Sequence, residues 1–360
     1  MAHEMASVWG GAVYSLDVQQ HSALHPDPLP VIYTRRRLPS IHLFGRLHLP
    51  LPSWHLWHLL RSRSPLHGHL PSPGVLLVLC LARLIRPQRV VTAYWHCFLH
   101  SDPGLTGCLF ALYQWLALLV VSRLSAVVTS SPVLSQELIR GGCDRNSVVV
   151  LHCCLSEQQE QLSLALPFRE ARIGEPLRVL FIGRLDTYKR LDWLLEALAQ
   201  LTSPWSLVVV GDGPKRSFFE HFYQRLFHKD SEVHFLGRLS EIDKLDQLSA
   251  ADLLVLPSDR SNEAFGIVQL EAMAAGRIAL AFDHPRSGMG WVGRLSGLNW
   301  SQSPEGLAEV LQLLADEPAL RQRLSEQARE RYRTLFAREV WMQQLQQLHR
   351  LGDPWERGKV

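Results

Sequence analysis

The second half of this chain alternates short apolar runs with helix-patterned segments, and that rhythm leaves few folds open to it. Arg178–Ile182 is a β-rich apolar run ended by Gly183. Leu191–Leu201 has helical spacing, and Leu207–Val210 is a strand ended by the turn cluster Gly211-Asp212-Gly213-Pro214. Phe218–Phe227 reads as helix, Val233–Leu236 as a strand before Gly237, and Leu245–Ala250 as helix. Leu253–Leu256 is a strand ended by Pro257-Ser258, Ile267–Ala275 a helix, and Ile278–Phe282 the strand after Gly276. Strands alternating with helices about every 25 residues make βαβ units, so the sheet is parallel and covered on both faces. The pattern predicts one doubly wound α/β domain over Leu177–Phe336.

The first half repeats this grammar less clearly. Val31–Thr34, Gly74–Leu84, Val90–Trp95, Ala126–Thr129 and Val148–Leu151 are apolar segments of strand or helix size, and Gly10-Gly11 precedes a possible helix. A chain of 360 residues is too long for one hydrophobic core, so two domains are expected. Leu155–Glu175, rich in Gln, Glu and Ser, reads as the linker. The expected division is residues 1–168, residues 169–338, and an amphipathic helix in 339–360 that returns to the first domain. Ligands of open α/β sheets sit beyond the carboxyl ends of the strands. Two such domains are therefore expected to face a cleft.

Composition excludes several classes. Apolar residues make up 47% and charged ones 20%, the balance of a folded protein rather than a disordered one. The six Cys all lie before residue 155, and no C-x-x-C pair of zinc-finger type occurs, so reduced thiols in a reducing compartment are expected. The first ten residues lack the basic and apolar regions of a secretory signal. The longest apolar run, Leu105–Val121, is interrupted by Gln114 and reads as a helix buried in an α/β domain rather than one that enters a bilayer. The net charge of +3 hides an asymmetry. Between Asp27 and Asp102 there is no acidic residue, while Arg35, Arg36, Arg37, Arg46, Arg61, Arg63, Arg83, Arg86 and Arg89 lie there. Such a patch attracts anions, or it is a plain bias of composition. Trp54, Trp57 and Leu59-Leu60, between Arg46 and Arg61, suggest a basic-edged helix that either lies on an anionic membrane or packs inside the domain.

Several strand ends carry chemistry. Gly183-Arg184-Leu185-Asp186-Thr187-Tyr188-Lys189 puts two cations and a turn at a helix start, a diphosphate site or a solvated basic turn. Glu263 and Glu271 stand eight positions apart around Gly266. On one helix they would share a face about 12 Å apart, too far to share a proton but right for gripping two parts of a long ligand. The bland alternative is two surface Glu of an amphipathic helix. His96 closes the run Val90–Trp95, where an imidazole can donate to an oxygen or do acid–base work, although a lone His is more often structural. His67 and His69 would point to one face of a strand, where a zinc site is conceivable but lacks a third ligand. No Walker A run, G-x-S-x-G elbow or full G-x-G-x-x-G is present, which lowers NTPase, serine hydrolase and NAD enzyme. Gly211-Asp212-Gly213 is G-x-G only.

These segments, in this order, resemble the retaining GT-B glycosyltransferases of glycosyltransferase family 4, the glycosyl transferases group 1. Gly183–Leu198 looks like the family's G-R-x-x-x-x-K-G helix entry, and Val208–Pro214 like its second strand and turn. Val233–Ser240 and Ala250–Ser258 follow, and Glu263–Gly276 is close to its E-x7-E segment. In the first half Gly10-Gly11 resembles the glycine loop below the donor phosphates, and HGHLPSP (His67–Pro73) an H-x-H-x-P strand end. VVTAYWH (Val90–His96) resembles the strand ending in the His near the reacting sugar, and His100-Ser101-Asp102 also resembles the H-S-D form of that segment. PRSGMGWV (Pro285–Val292) narrows the likeness toward polysaccharide-building mannosyl- and related transferases.

The resemblance implies a GT-B fold and transfer of a sugar, with retention, from a GDP- or UDP-linked donor to a glycan or lipid-linked acceptor in surface or extracellular polysaccharide synthesis. Arg184 and Lys189 would bind the diphosphate, Glu263 the sugar hydroxyls and Glu271 the ribose. Gly266 and Ile267 would offer backbone N–H groups. Gly10, Gly11, Gly211, Gly213 and Phe265 complete the donor side, and His96 or His100 joins Glu263 at the reacting sugar. No metal or other cofactor is implied, since two cations and helix N-termini can stabilise the leaving nucleoside diphosphate. Nucleic acid is not an expected partner. A cytoplasmic protein, peripheral at the inner membrane face, fits the basic first half. Three departures stand out. Only nine residues precede Gly10, so the first strand is shortened or lost, or the true start lies upstream. Arg190 stands where the family has Gly, and LHCCLS (Leu151–Ser156) replaces an I-P-N-G-V-D linker. The alternative function is a degenerate, non-catalytic GT-B scaffold or binding subunit.

Overall fold

The structure is a computed structural model, and it describes residues 2–16, 33–42, 48–100, 103–170, 172, 174–227 and 232–352. These form two compact units, one up to Leu151 with the residues from Met342 onward, the other from His152 to Trp341. In the first, helix α1 (Ala2–Trp9) precedes strands β1 (Ala12–Leu16), β2 (Thr34–Leu38), β3 (Ser40–His42) and β4 (His48–Pro50). Then follow α2 (Trp54–Arg61), β5 (Leu66–Leu70), α3 (Pro73–Ile85), β6 (Val91–Trp95) and α4 (Leu105–Val121). β7 (Ala126–Thr129), α5 (Pro132–Arg140) and β8 (Val148–Val150) complete the αβ run. The second unit carries α6 (Glu157–Ala165), β9 (Leu177–Ile182), α7 (Leu191–Leu198), β10 (Trp205–Val210), α8 (Arg216–Leu226) and β11 (Val233–Gly237). It continues with α9 (Glu241–Ala250), β12 (Leu253–Leu256), α10 (Val268–Ala274), β13 (Ile278–Ala281), α11 (Met289–Val292), α12 (Pro304–Asp316) and α13 (Pro318–Leu335). Helix α14 (Arg338–Gly352) starts in the second unit, and its residues from Met342 belong to the first.

The second unit is built on five parallel strands in the order β11-β10-β9-β12-β13. β12 and β13 are buried at every position, as parallel strands covered on both faces must be. The chain winds outward from β9 to β11, then returns to the other side of β9. The switch point therefore lies between β9 and β12.

The first unit holds four parallel strands in sequential order, β5-β6-β7-β8. Right-handed crossovers that advance in one direction place α3, α4 and α5 on one face of this sheet. β1 and β2 pair in a separate parallel ribbon, and β3 with β4 antiparallel. The α/β class and parallel sheets expected from the alternation are present in both units.

Four expectations change. The Gln- and Glu-rich stretch is no plain linker. Ser156 and Gln159 close a capping box on α6, and Glu160 Oε1 accepts from Tyr332 OH at 2.9 Å and Arg338 N at 2.8 Å. The polar residues that imitate a linker are the cap and tie of this helix, so the division falls at Leu151/His152 rather than residue 168. Gly10-Gly11 does not open a helix: α1 comes before it and β1 after it. The apolar segment of strand or helix size at Val31–Thr34 meets β2, which runs from Thr34 to Leu38, only at its last residue, and Val31 and Ile32 lie outside the described residues. Finally, α4 is not buried. Its inward stripe is narrow, and most of its large apolar side chains face solvent.

Candidate active site

At the switch point, β9 and β12 run into the loops Gly183–Lys189 and Pro257–Glu263. Beyond such strand ends lies the crevice where open α/β sheets bind ligands. Here Lys189 Nζ donates to Glu263 Oε2 in an ion pair, with the side chains 10% and 16% exposed. A single 3-10 turn, Thr187–Lys189, places the lysine, and Asp186 caps that turn by accepting from Thr187 N at 2.8 Å. Asp259 N donates to Tyr188 O at 3.1 Å and ties the two loops together. Glu263 is fixed through the main chain around it. Ser287 Oγ donates to Glu263 O, and Gly288 N to Ala264 O at 2.7 Å.

Arg190 follows directly with φ 47° and ψ 43°, the left-handed region that glycine adopts most freely. Its guanidinium binds Asp192 through Nε at 3.0 Å and Nη2 at 2.9 Å, reaches Asp259 at 3.2 Å, and lies 3.4 Å from the Trp193 ring centroid. These contacts hold a backbone shape for which a glycine is the easier choice. On the same loops a cavity of about 270 Å³ is lined by Thr187, Arg190, Lys215, Phe218, Asp259 and Arg260.

Glu263 and Glu271 do not share a helix face. α10 starts only at Val268, so Glu263 lies in the preceding loop. Glu271 pairs with Lys244 instead, at 3.0 Å, and Lys244 also holds Glu241 at 2.9 Å. Burial raises the Glu271 pKa above the ordinary carboxylate range, and Lys244 offsets part of that rise. Arg184 is 59% exposed, with Nε 3.5 Å from Asp186.

The glycines act by close approach. A Cβ on Gly211 (φ 130°) would stand 1.9 Å from Gly183 O, and one on Gly213 2.3 Å from Leu185 O. Both are thus spent on packing the β10 loop against the β9 loop. Gly266 (φ 71°) lies against Leu256 Cδ2, and Ile267 beside it is 46% exposed. The Phe265 ring is buried between His152 and Phe336, so its main chain alone can face a ligand.

The first unit gathers a histidine cluster at the ends of β5 and β6. His69 Nδ1 and His96 Nε2 lie 2.8 Å apart, and both rings stack with Tyr94. His67 Nδ1 meets Thr92 Oγ1 at 2.8 Å. Burial lowers all three: His96 to about 4, His67 to about 3, and His69 below its ordinary value. Trp9, next to the exposed Gly10-Gly11 turn, stands edge-on to His67 at 5.4 Å. That turn is therefore near the cluster. His100 is half-buried four residues beyond His96, and Ser101 and Asp102 lie outside the described residues. Among the described residues, no group of three or more His, Cys, Asp or Glu is placed to hold a metal ion.

Residues 165–331 match the family model described as glycosyl transferases group 1. This segment is similar to the group 1 glycosyl transferase domains. It contains the Lys189–Glu263 pair and the Glu271–Lys244 pair together. The chain is 27% identical over 273 residues to the D-rhamnosyltransferase WbpZ of Pseudomonas aeruginosa, covering 74% of this chain and 68% of that protein. It is 29% identical over 211 residues to the O-antigen chain mannosyltransferase C of Escherichia coli, covering 58% and 53%. Anabaena HepE, solved in complex with UDP, shares the fold with a TM-score of 0.63 at 19% identity, over 82% of this chain and 80% of that one. Sequence reading missed Lys244, which sits in an ordinary amphipathic pattern on α9. It also missed the Ser287 tie, although Ser287 lies inside the quoted PRSGMGWV block.

Proposed function

We propose that this chain transfers a sugar from a nucleoside diphosphate sugar, UDP- or GDP-linked, to a glycan or lipid-linked acceptor in surface polysaccharide synthesis. The observation that carries the reading is the buried Lys189–Glu263 pair where the β9 and β12 loops meet. A cation held there can stabilise a departing diphosphate, and the carboxylate beside it can accept sugar hydroxyls. Arg184 is free enough to swing toward the second phosphate. Gly266 and Ile267 would contribute main-chain N–H groups, and Glu271 would take the ribose hydroxyls, with Lys244 offsetting part of the burial that disfavours its charged form. His96, neutral at physiological pH, would donate to or accept from the sugar rather than carry charge.

Two further points belong to this reading. We infer retention at the anomeric carbon from the E-x7-E likeness, and no metal is required if Lys189 and Arg184 neutralise the leaving group. A cytoplasmic setting suits six cysteines that form no disulfide.

Thermal stability with UDP, GDP and ADP tests the donor site. A ligand at 100 times its Kd adds about 2.7 kcal/mol. One nucleotide should raise the Tm of the wild type and leave Glu271→Ala unmoved. No shift with any nucleotide would sink the transferase reading and favour a non-catalytic GT-B scaffold. With the donor base known, proton NMR of the product's anomeric centre decides retention against inversion.

A further inference from the structure

Helix α4 is packed inside out. The side it buries carries Gly107, Gln114, Ala117 and Val121. Gln114 satisfies its amide oxygen there, accepting from Leu99 N at 2.7 Å. The side it shows to solvent carries Leu105, Leu109, Phe110, Leu112, Trp115 and Leu116, which are 45–87% exposed. A helix of a water-soluble domain does the reverse, burying its large apolar stripe and leaving polar residues outside. A continuous apolar surface of this kind marks an interaction site. Its neighbour α3, which packs against both α2 and α4, adds exposed Leu77, Leu84 and Ile85.

The charges around it select the partner. No acidic residue occurs in α2, α3 or α4. Arg61 ends α2, Arg83 and Arg86 end α3, and Arg123 follows α4. Two copies of this chain meeting through such a face would bring basic rims of one sign together. An anionic bilayer instead meets the apolar face with acyl chains and the arginines with headgroups. The helix has 17 residues, and at about 1.5 Å per residue it falls short of the roughly 30 Å hydrocarbon core. Among the described residues no helix is long and apolar enough to cross a membrane.

We infer that α4 lies in the plane of an anionic membrane, its Leu, Phe and Trp side chains inserted and the arginines around it on the headgroups. α4 begins just beyond the loop that leaves His96. A lipid-linked acceptor would thus be drawn from the surface on which the helix rests, but the binding itself needs neither donor nor acceptor.

Cys108, exposed on α4, gives a direct probe. The full chain, labelled there with an environment-sensitive fluorophore, is mixed with phosphatidylglycerol vesicles and with phosphatidylcholine vesicles, and Cys108→Ser controls for labelling elsewhere. The expected result is sedimentation with the anionic vesicles, a blue shift of the label, and quenching by brominated acyl chains that survives high salt. Leu109→Glu with Trp115→Glu, both at exposed positions, should weaken partitioning at least tenfold while the Tm and circular dichroism stay as in the wild type. Three outcomes would overturn the inference. These are absence of vesicle binding, unchanged binding by the double variant, or a label buried without vesicles in a concentration-dependent dimer. Because no turnover is measured, failure here is separable from failure of the transferase reading.

Discussion

Lys189 Nζ and Glu263 Oε2 form an ion pair across the two loops that leave β9 and β12. Each charge satisfies the other, so in the proposed reaction a donor phosphate would have to recruit a lysine already engaged. Glu263→Gln keeps the shape and frees the lysine. Nucleoside diphosphate affinity should then hold or improve, while transfer from the full donor falls by about 10²-fold or more. Lys189→Ala should do the opposite to binding, costing about tenfold in affinity, or roughly 1.4 kcal/mol. It also strands a largely buried carboxylate, so a stability loss of about 1–3 kcal/mol should accompany it. Calorimetric titration with the nucleotide, set beside steady-state rates, separates the two; equal loss of binding in both variants would sink this division of labour.

The histidine cluster predicts an acid-labile first unit. The His69–His96 contact holds one hydrogen between two ring nitrogens, and a second proton would set two N–H groups against each other. Both His96 and His67 titrate near 6.5 when unfolded, but near 4 and 3 when folded, mainly because they are buried. Between those values the unfolded chain binds more protons. Stability is therefore complete above about pH 6.5 and falls as the pH drops toward 4, by roughly 2–3 kcal/mol from His96 alone. Melting scans at pH 7.5 and 5 should show the drop, and His96→Gln should shrink it. Ring nitrogen shifts of an imidazolium at pH 5 would contradict the burial.

Much of the second unit was legible because its strands β12 and β13 are buried on both faces and so appear as unbroken runs, LLVL at 253–256 and IALA at 278–281. Its glycines were visible for a related reason: Gly211 and Gly213 stand where two loops leave no room for a Cβ. The first unit was less readable. β1 and β2 pair away from the main sheet, so TRRRL at 34–38 carries no alternation of buried and exposed faces. Helix α4 misled for the opposite reason. Its hydrophobicity is real, but composition cannot say which side is turned to the core. Likewise Glu263 and Glu271 were found by spacing, whereas their separate lysines come from α9 and the β9 loop, distant in sequence.

The loop packing makes a steric prediction. Gly213→Ala would drive a methyl group into Leu185 O, and neither atom belongs to a flexible side chain. The β9 and β10 loops must then separate, at a cost of about 2–4 kcal/mol. Because the same movement displaces Gly183–Lys189, nucleotide affinity should fall with stability. Urea denaturation and calorimetry on the variant check both, and a variant as stable as the wild type would mean that the loops are not packed this closely.

Arg190 offers a cleaner test of local backbone, because two substitutions remove the same contacts and differ mainly in strain. The wild-type residue adopts a left-handed conformation, held by Asp192, Asp259 and the face of Trp193. Arg190→Ala loses these contacts and keeps the penalty of a Cβ at positive φ. Arg190→Gly loses them too, but relieves the penalty of about 1–2 kcal/mol. Glycine also has the more flexible unfolded chain, which takes back part of that gain. The glycine variant should therefore be the more stable by about 1 kcal/mol, a Tm difference of roughly 2–4 °C for a unit of this size. The wild type should lie near the glycine variant, since its partly exposed ion pairs contribute about as much as the strain removes. Equal stability of the alanine and glycine variants would show that the backbone at this position is not left-handed in solution.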